Sequence, residues 1–483
     1  MMQRRLFLKT LLATAVAAAL PGCSKNSPSG QMSAETADSR WTMAESIRNS
    51  VQQTSFADRD FVLTDFGGKA EPQYDNTAAF EAAIAACHQA GGGRVVVPAG
   101  RYLTGPIHLK SNVNLHLQKD AIIAFSTEPA RYLPAVFTRW EGMEMMGYSP
   151  LIYAYQQHNI AVTGEGVLDG QADDNTWWPW KGQNKHAHWR QDPVEITQKP
   201  ARDRLQQDVE QGVPPEQRVY ADGGYLRPPL LQPYLCQRVL IEGVTIINSP
   251  FWLINPVLSE DVTVRGVTCR SHGPNNDGCD PESCNRVLIE DCLFDTGDDC
   301  IALKSGRNAD GRRVNKPIEN VLVANCQMKD GHGGLVIGSE ISGGARNIFM
   351  ENCQMSSPEL ERAIRIKTNS VRGGLIENIN VRNVDVGQVR DAIVINFYYE
   401  EGDAGQFDPV VRDIHIADLN VQNAKHAMVI RGFERAPIRH LTLQNCQFRQ
   451  VEKPSVVEHV QQLELNQVFV ADMPLLAKDI VSV

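Results

Sequence analysis

Arg238-Val239-Leu240-Ile241-Glu242, Asp261-Val262-Thr263-Val264-Arg265, Arg286-Val287-Leu288-Ile289-Glu290 and Asn320-Val321-Leu322-Val323 are four versions of one short phrase. It returns at Asn347-Ile348-Phe349-Met350, Asn378-Ile379-Asn380-Val381, Asp413-Ile414-His415-Ile416, His440-Leu441-Thr442-Leu443 and Gln462-Leu463-Glu464-Leu465. Each version opens on a polar residue, alternates apolar positions with period two and runs into a polar turn, the pattern of a short strand rather than a helix. Successive starts lie 22 to 35 residues apart, the spacing of stacked coils. Units this short cannot each bury a face, so they must share one continuous core as a solenoid. With no helical pattern between the strands, the expected fold is all-β, a parallel β-helix.

Working outward, Cys292, Cys326, Cys353 and Cys446 each stand six residues after a coil start, where the other units carry Val or Leu. That places small apolar thiols in one interior column. One thiol per coil in a straight stack cannot supply a tetrahedral ligand set, so no metal is expected on them. An open solenoid end needs a cap. Thr77 to Ala90 predicts a capping helix, begun by Asn76 or Thr77 and stopped by Gly91-Gly92-Gly93, with strand Arg94-Val95-Val96-Val97 after it.

The leader reads as an address. Arg4-Arg5-Leu6-Phe7-Leu8-Lys9 precedes an apolar run, Leu11 to Leu20, too short to span a bilayer, and Leu20-Pro21-Gly22-Cys23 follows. The twin arginine resembles a Tat export signal and the second motif a bacterial lipobox that would lipidate Cys23. The expected organisation is an export signal with lipobox over 1–23, a flexible tether over 24–58, and a single β-helix domain over 59–483 with a loop insertion at about 138–230. The expected location is the periplasm or cell surface of a bacterium, with membrane contact only through the lipid. Export in a folded state, from a reducing compartment, favours free buried thiols over disulfides for the other ten cysteines. The 483-residue chain carries a net charge of −10, which argues against a nucleic-acid partner. A polyanionic substrate would need local cations. Capped coils suggest a monomer.

Four motifs fall on successive coils: Asn275-Asn276-Asp277-Gly278, Gly297-Asp298-Asp299-Cys300, Gly331-His332-Gly333 and Arg365-Ile366-Lys367. Singly each is a turn or a solvated corner. In register, on rungs about 4.8 Å apart, they gather three carboxylates, an imidazole and two cations on one face. That set suits hydrolysis of a glycosidic bond, which needs one protonated carboxyl for the leaving oxygen and one carboxylate to activate water. Crowded carboxylates raise the pKa of one of them. Arg365 and Lys367 would grip a substrate carboxylate, and the glycines beside His332 would let a sugar approach the backbone. Asp298 and Asp299 are neighbours, so both reach one cleft only if the backbone bends there.

The entry Asp65-Phe66-Gly67, the helix, the glycines, Val95-Val96-Val97-Pro98-Ala99-Gly100 and Tyr102 resemble pectate-lyase-like right-handed β-helices. The four motifs in this order resemble glycoside hydrolase family 28, the polygalacturonases. The resemblance implies cleavage of α-1,4-galacturonic acid linkages of pectin or oligogalacturonates with inversion and without cofactor or metal. It implies Asp298 as general acid, Asp277 and Asp299 as holders of the attacking water, His332 as the residue tuning the acid, and Arg365, Lys367 and Asn275 as substrate contacts. Asn276 departs from the family's usual Asn-Thr-Asp. Arg139-Trp140-Glu141-Gly142 and Tyr148-Ser149-Pro150 resemble the bacterial exo-acting branch.

Trp140, Trp177, Trp178, Trp180 and Trp189 crowd one segment and read equally as sugar platforms or as packing. Tyr398 and Tyr399, one coil past Lys367, are candidates for the subsite. A rhamnogalacturonan-directed hydrolase, a metal-dependent pectin lyase on the same fold and a non-catalytic adhesin are the alternatives at this level.

Overall fold

The computed structural model describes residues 37–182, 196–476 and 480–481. The nine polar coil starts share one conformation: Arg238, Asp261, Arg286, Asn320, Asn347, Asn378, Asp413, His440 and Gln462 have φ between 53° and 63°. This left-handed geometry turns the chain into the next strand, and Asn and Asp adopt it at least cost after Gly. The corner amides then bond along the stack: Asn320 Nδ2 donates to Asn285 at 2.8 Å, Asn347 to Asn320 at 2.9 Å and Asn378 to Asn347 at 2.9 Å.

Three parallel walls result, in the right-handed sense expected. The first climbs from Asp60–Val62 through Gly93–Val97, Val113–Leu117 and His158–Gly164 to Val460–Val470. The second runs from Gly100–Thr104 to Gln327–Asp330 and merges with the first in the long strand Ala345–Met355. The third comprises Ile301–Leu303, Leu335–Ile337, Arg362–Lys367, Asp391–Asn396, His426–Arg431 and Val456–Glu458. Single bridges Leu231↔Ile254, Ile254↔Cys279 and Cys279↔Ile301 extend it towards the N-terminal coils. Inside, like residues stack on like: Val239, Val262, Val287, Val321, Ile348, Ile379, Ile414 and Leu441 are all buried. A slip of one residue would expose the whole column, so the alternation itself sets the register. Cys292, Cys326, Cys353 and Cys446 occupy the expected interior column, and the ten described cysteines are free and buried.

Of the flexible tether expected over 24–58, the described part is corrected by helix α1 (Ala37–Ser50), while residues 24–36 lie outside the described residues. Ala44, Ile47 and Val51 pack on Leu288, Leu322 and Phe349, apolar residues on the outer side of the first wall. Trp41 meets Phe349 edge-on at 5.5 Å, and Arg48 pairs with Glu290 and Glu351. The amphipathic spacing of Trp41, Ala44 and Ile47 was visible in the chain, but its partner face was not. Helix α2 (Thr77–Gln89) caps the first coil with Phe80, Ala83, Ile84 and Cys87. Its first N–H is capped by Asp75 Oδ1 at 3.0 Å, rather than by the side chain of Asn76 or Thr77.

The loop insertion expected at about 138–230 also needs correction. Ile152–Tyr155, His158–Gly164 and Val167–Asp169 form a regular coil within it, with Asn159 at the left-handed corner. Two excursions flank that coil: the hairpin Val136–Trp140/Met143–Gly147 and the segment that carries α3 (Lys199–Glu210). They share a small core of Trp140, Met143, Met145, Leu205, Val209, Tyr220, Leu226, Phe251 and Trp252. Arg218, paired with Asp310 at 2.7 Å, joins that core to α4 (Asn308–Val314).

Candidate active site

The third wall and the corner before it carry all four motifs. Ile301, Leu335 and Ile364 stand abreast, and Cys279 bridges to Ile301. Gly278 N–H donates to Asp299 O at 2.9 Å and Cys300 N–H to Gly333 O at 2.8 Å, which sets Asp277, Asp299 and Gly333 on neighbouring rungs. Asp298 and Asp299 lie in the bend between Leu293–Thr296 and Ile301–Leu303, close to a register slip at Phe294/Asp295. Off the pleat, neighbouring side chains no longer alternate, and both carboxylates enter the same cavity of about 520 Å³. One oxygen from each of Asp277, Asp298 and Asp299 lies within 4.8 Å of the other two.

Each carboxylate has a different cationic neighbour. His332 Nδ1 lies 2.8 Å from Asp298 Oδ1. Lys367 Nζ donates to Asp299 Oδ2 at 2.6 Å, and Arg365 Nη1 to Asp299 Oδ1 at 3.5 Å. Asp277 Oδ2 faces Lys304 Nζ at 3.5 Å, while the buried Asp277 Oδ1 has no hydrogen-bond partner among the described residues. These surroundings split the titrations. Burial, with the charges of Asp280 and Asp298, pushes Asp277 well above the usual carboxylate range. Burial pushes Asp298 up too, but the charge and hydrogen bond of His332, helped by Lys367 and Lys304, outweigh it and hold Asp298 well below that range. Asp298 in turn raises His332 to about 9. At rest, therefore, the proton of the His332–Asp298 pair sits on the imidazole.

That pair sets a stability window. His332 has a folded pKa raised above its ordinary 6.5, so its contribution is fully present below pH 6.5 and is lost as pH rises through about 9. In urea titrations the difference in unfolding free energy between wild type and His332→Gln is expected to be largest below pH 6.5 and to vanish above pH 9. A pH-independent difference would contradict the ion pair.

The cavity gathers Asp277, Asp298, Asp299, His332, Arg365, Lys367, Asn275 and Tyr399 from the expected set. Asn275 Oδ1 accepts from the buried Arg227 at 2.8 Å, and the Tyr399 ring lies 5.3 Å from Lys367 Nζ. Asn276, the departure from the family pattern, does not face the cavity. Its amide holds the turn, accepting from Gly273 N–H at 2.9 Å and donating to Ser249 O at 3.1 Å. Three expectations are corrected, the last of them in part. Trp140 is interior, stacked on Phe251 at 5.4 Å with its indole N–H on Arg227 O, so it packs the insertion rather than a sugar. Tyr398 lies outside the cavity against Phe433 and Arg431 of the next coil. Of the two glycines at His332, Gly331 serves coil packing, since a Cβ there, at φ 140°, would come within 2.4 Å of Asp298 O, whereas a Cβ on Gly333 would stand at the cavity, 3.2 Å from Asp299 Oδ1 and 3.7 Å from Arg365 Cδ. Trp177 and Trp178 are likewise buried. Trp189, Cys23 and the leader motifs lie outside the described residues.

Sequence reading missed Glu141, Lys181, Arg202, Trp252, Lys304, Arg307 and Glu340, all of which line the cavity or touch its acids. Glu141, Lys181 and Arg202 arrive on the insertion, which has no repeat to index them. Lys304 ends an apolar strand and reads as an edge residue. Arg307 joins Glu141 at 3.2 Å to Glu340 at 3.6 Å and Glu400 at 3.4 Å, tying three chain segments together. Gly142 permits that approach, since a Cβ there would lie 2.7 Å from Arg307 N. As for a cation, the three carboxylates offer a possible ligand set, as do His272, Asp295 and Asp330. However, the ammonium groups of Lys367 and Lys304 already lie against Asp299 and Asp277.

A model of glycosyl hydrolases family 28 matches residues 221–461. The crystal structure of a hyperthermoactive exopolygalacturonase from Thermotoga maritima superposes with a TM-score of 0.84 at 44% identity, over 88% of this chain and 96% of that one. The chain belongs to glycosyl hydrolase family 28. A probable polygalacturonase of Vitis vinifera is 28% identical over 399 residues, 79% of this chain and 73% of the relative. An exo-poly-α-D-galacturonosidase of Dickeya chrysanthemi is 25% identical over 383 residues, 75% of this chain and 61% of the relative. This family-28 hydrolase thus carries its three acids in the half of the chain that the family model covers, while Glu141, Lys181 and Arg202 lie outside it.

Proposed function

We propose that the enzyme is an exo-acting polygalacturonase, hydrolysing α-1,4-galacturonic acid linkages from one end of pectic galacturonan or its oligomers. The observation that carries this is the meeting of three carboxylates with Arg365 and Lys367 in one cavity walled by the insertion residues Glu141, Lys181 and Arg202. The two cations suit the carboxylate of a galacturonate at the cleavage point, and answer the repulsion of a chain with net charge −10. The insertion wall favours entry of a chain end over the middle of a polymer.

In this reading Asp298 protonates the leaving oxygen with a proton supplied by His332. Asp277 and Asp299 share the attacking water and take its proton. Carboxyls of inverting enzymes usually stand about 6.5–9.5 Å apart and those of retaining enzymes about 5–5.5 Å; the nearest oxygens here lie within 4.8 Å of one another, so the anomer released first decides the stereochemical course. End-labelled oligogalacturonates test the activity, with stepwise release of monomer as the expected result and proton NMR reporting an inverted anomer first. Mixed lengths would overturn exo action. Intact substrate would redirect the reading to a rhamnogalacturonan. Dependence on calcium with unsaturated products would replace hydrolysis by elimination.

The leader motifs favour export and anchoring through Cys23. Fatty-acid labelling lost in Cys23→Ser is the expected outcome, and labelling that persists would discard the anchor.

A further inference from the structure

Lys304 is buried, with 3% of its surface exposed, at the end of strand Ile301–Leu303. Its Nζ lies 3.5 Å from Asp277 Oδ2, 3.3 Å from Asp280 Oδ2, 3.1 Å from Glu340 Oε2 and 4.2 Å from the centre of the Trp252 ring. Burying an ammonium costs several kcal/mol before its partners offset it. A methionine of similar length would fill the space without that cost, so packing alone does not account for a lysine here.

The contacts divide the two oxygens of Asp277. Oδ2 faces the ammonium, while Oδ1 is buried without a hydrogen-bond partner. Taking Asp277 as a holder of the attacking water, as proposed above, we infer that Lys304 is a positioning residue: it pins Asp277 Oδ2 and so fixes the orientation in which the carboxylate meets the water. Glu340 shares the ammonium with Asp277, and Arg307 backs Glu340 at 3.6 Å. Asp280 shares the ammonium too, Asp299 acts on it from the next rung, and Glu282 lies behind with Arg139 at 3.8 Å. Among the groups around Asp277, burial, Asp280, Asp298 and Asp299 oppose ionisation, and Lys304 is the cation that favours it.

The kinetics of Lys304→Met and Glu340→Gln on trigalacturonate, followed across pH in the full-length enzyme, test this. Lys304→Met is expected to lower kcat by on the order of 10²-fold with KM little changed. The acidic limb of its kcat/KM profile should move to higher pH, because Asp277 then needs more base to ionise. Glu340→Gln should move the same limb the other way, since the ammonium is shared with one carboxylate fewer. A folded Lys304→Met enzyme, checked by circular dichroism, whose limb and kcat match wild type would overturn the role. So would a rise in KM at constant kcat, which would make Lys304 a substrate contact. If Lys304→Met fails to fold, Glu340→Gln decides alone, and an unmoved limb sinks the idea. Wild-type enzyme that leaves trigalacturonate intact defeats the proposed activity and this role together, whereas active wild type beside an unaltered Lys304→Met defeats only the role.

Discussion

Asp298→Asn is expected to cut kcat on oligogalacturonates by about 10²–10⁴-fold while the folded structure persists. The change is isosteric and keeps a hydrogen-bonding group opposite His332, but an amide cannot carry the proton from the imidazole to the leaving oxygen. The loss should fall on kcat more than on KM, because in the proposed binding mode Arg365 and Lys367, which the substitution leaves in place, hold the substrate carboxylate. His332 should also titrate lower than its value of about 9, since Asp298 is the largest cause of the rise. Reducing-end release and NMR titration of His332 measure the two effects. Activity above a tenth of wild type would remove Asp298 from the acid role.

Arg218→Ala carries the second large effect, on stability and on product pattern. Both partners of the Arg218–Asp310 pair are 1% exposed at 2.7 Å. Arg218 also donates to Glu144 O at 3.0 Å and Val213 O at 2.7 Å. Removing it leaves a buried carboxylate short of a partner and two carbonyls unmet, a class of change that costs about 3–5 kcal/mol. The loss should appear first in the insertion, whose own core is small, and only later in the coils, which share one long core. Limited proteolysis should then cut near α3 before the β-helix. A loosened wall at Glu141, Lys181 and Arg202 should admit internal segments of the polymer, so products of mixed length are expected. A variant with wild-type urea stability and unchanged monomer release would refute both steps.

The coil starts explain why so much was legible. Asn320, Asn347, Asn378 and Asp413 mark corners because the left-handed conformation favours their short polar side chains. The same repeat coordinate indexed Asp277, Asp298, Asp299, His332, Arg365 and Lys367 onto one face before any distance was known. His158-Asn159-Ile160-Ala161-Val162 obeys the same rule, yet it escaped notice inside a stretch without neighbouring repeats.

By itself, then, the chain determined the solenoid, its cap, its column of thiols and the six polar side chains of the motifs, because period-two alternation and rung spacing are local properties that repeat. Only tertiary structure decided that α1 docks on Leu288, Leu322 and Phe349, that Trp140 packs inward, that Tyr399 rather than Tyr398 enters the cavity, and that Lys304 faces Asp277. Those outcomes depend on which surfaces meet across tens to hundreds of residues, and on how burial and nearby charge share protons among acids. Neither quantity is carried by spacing along the chain.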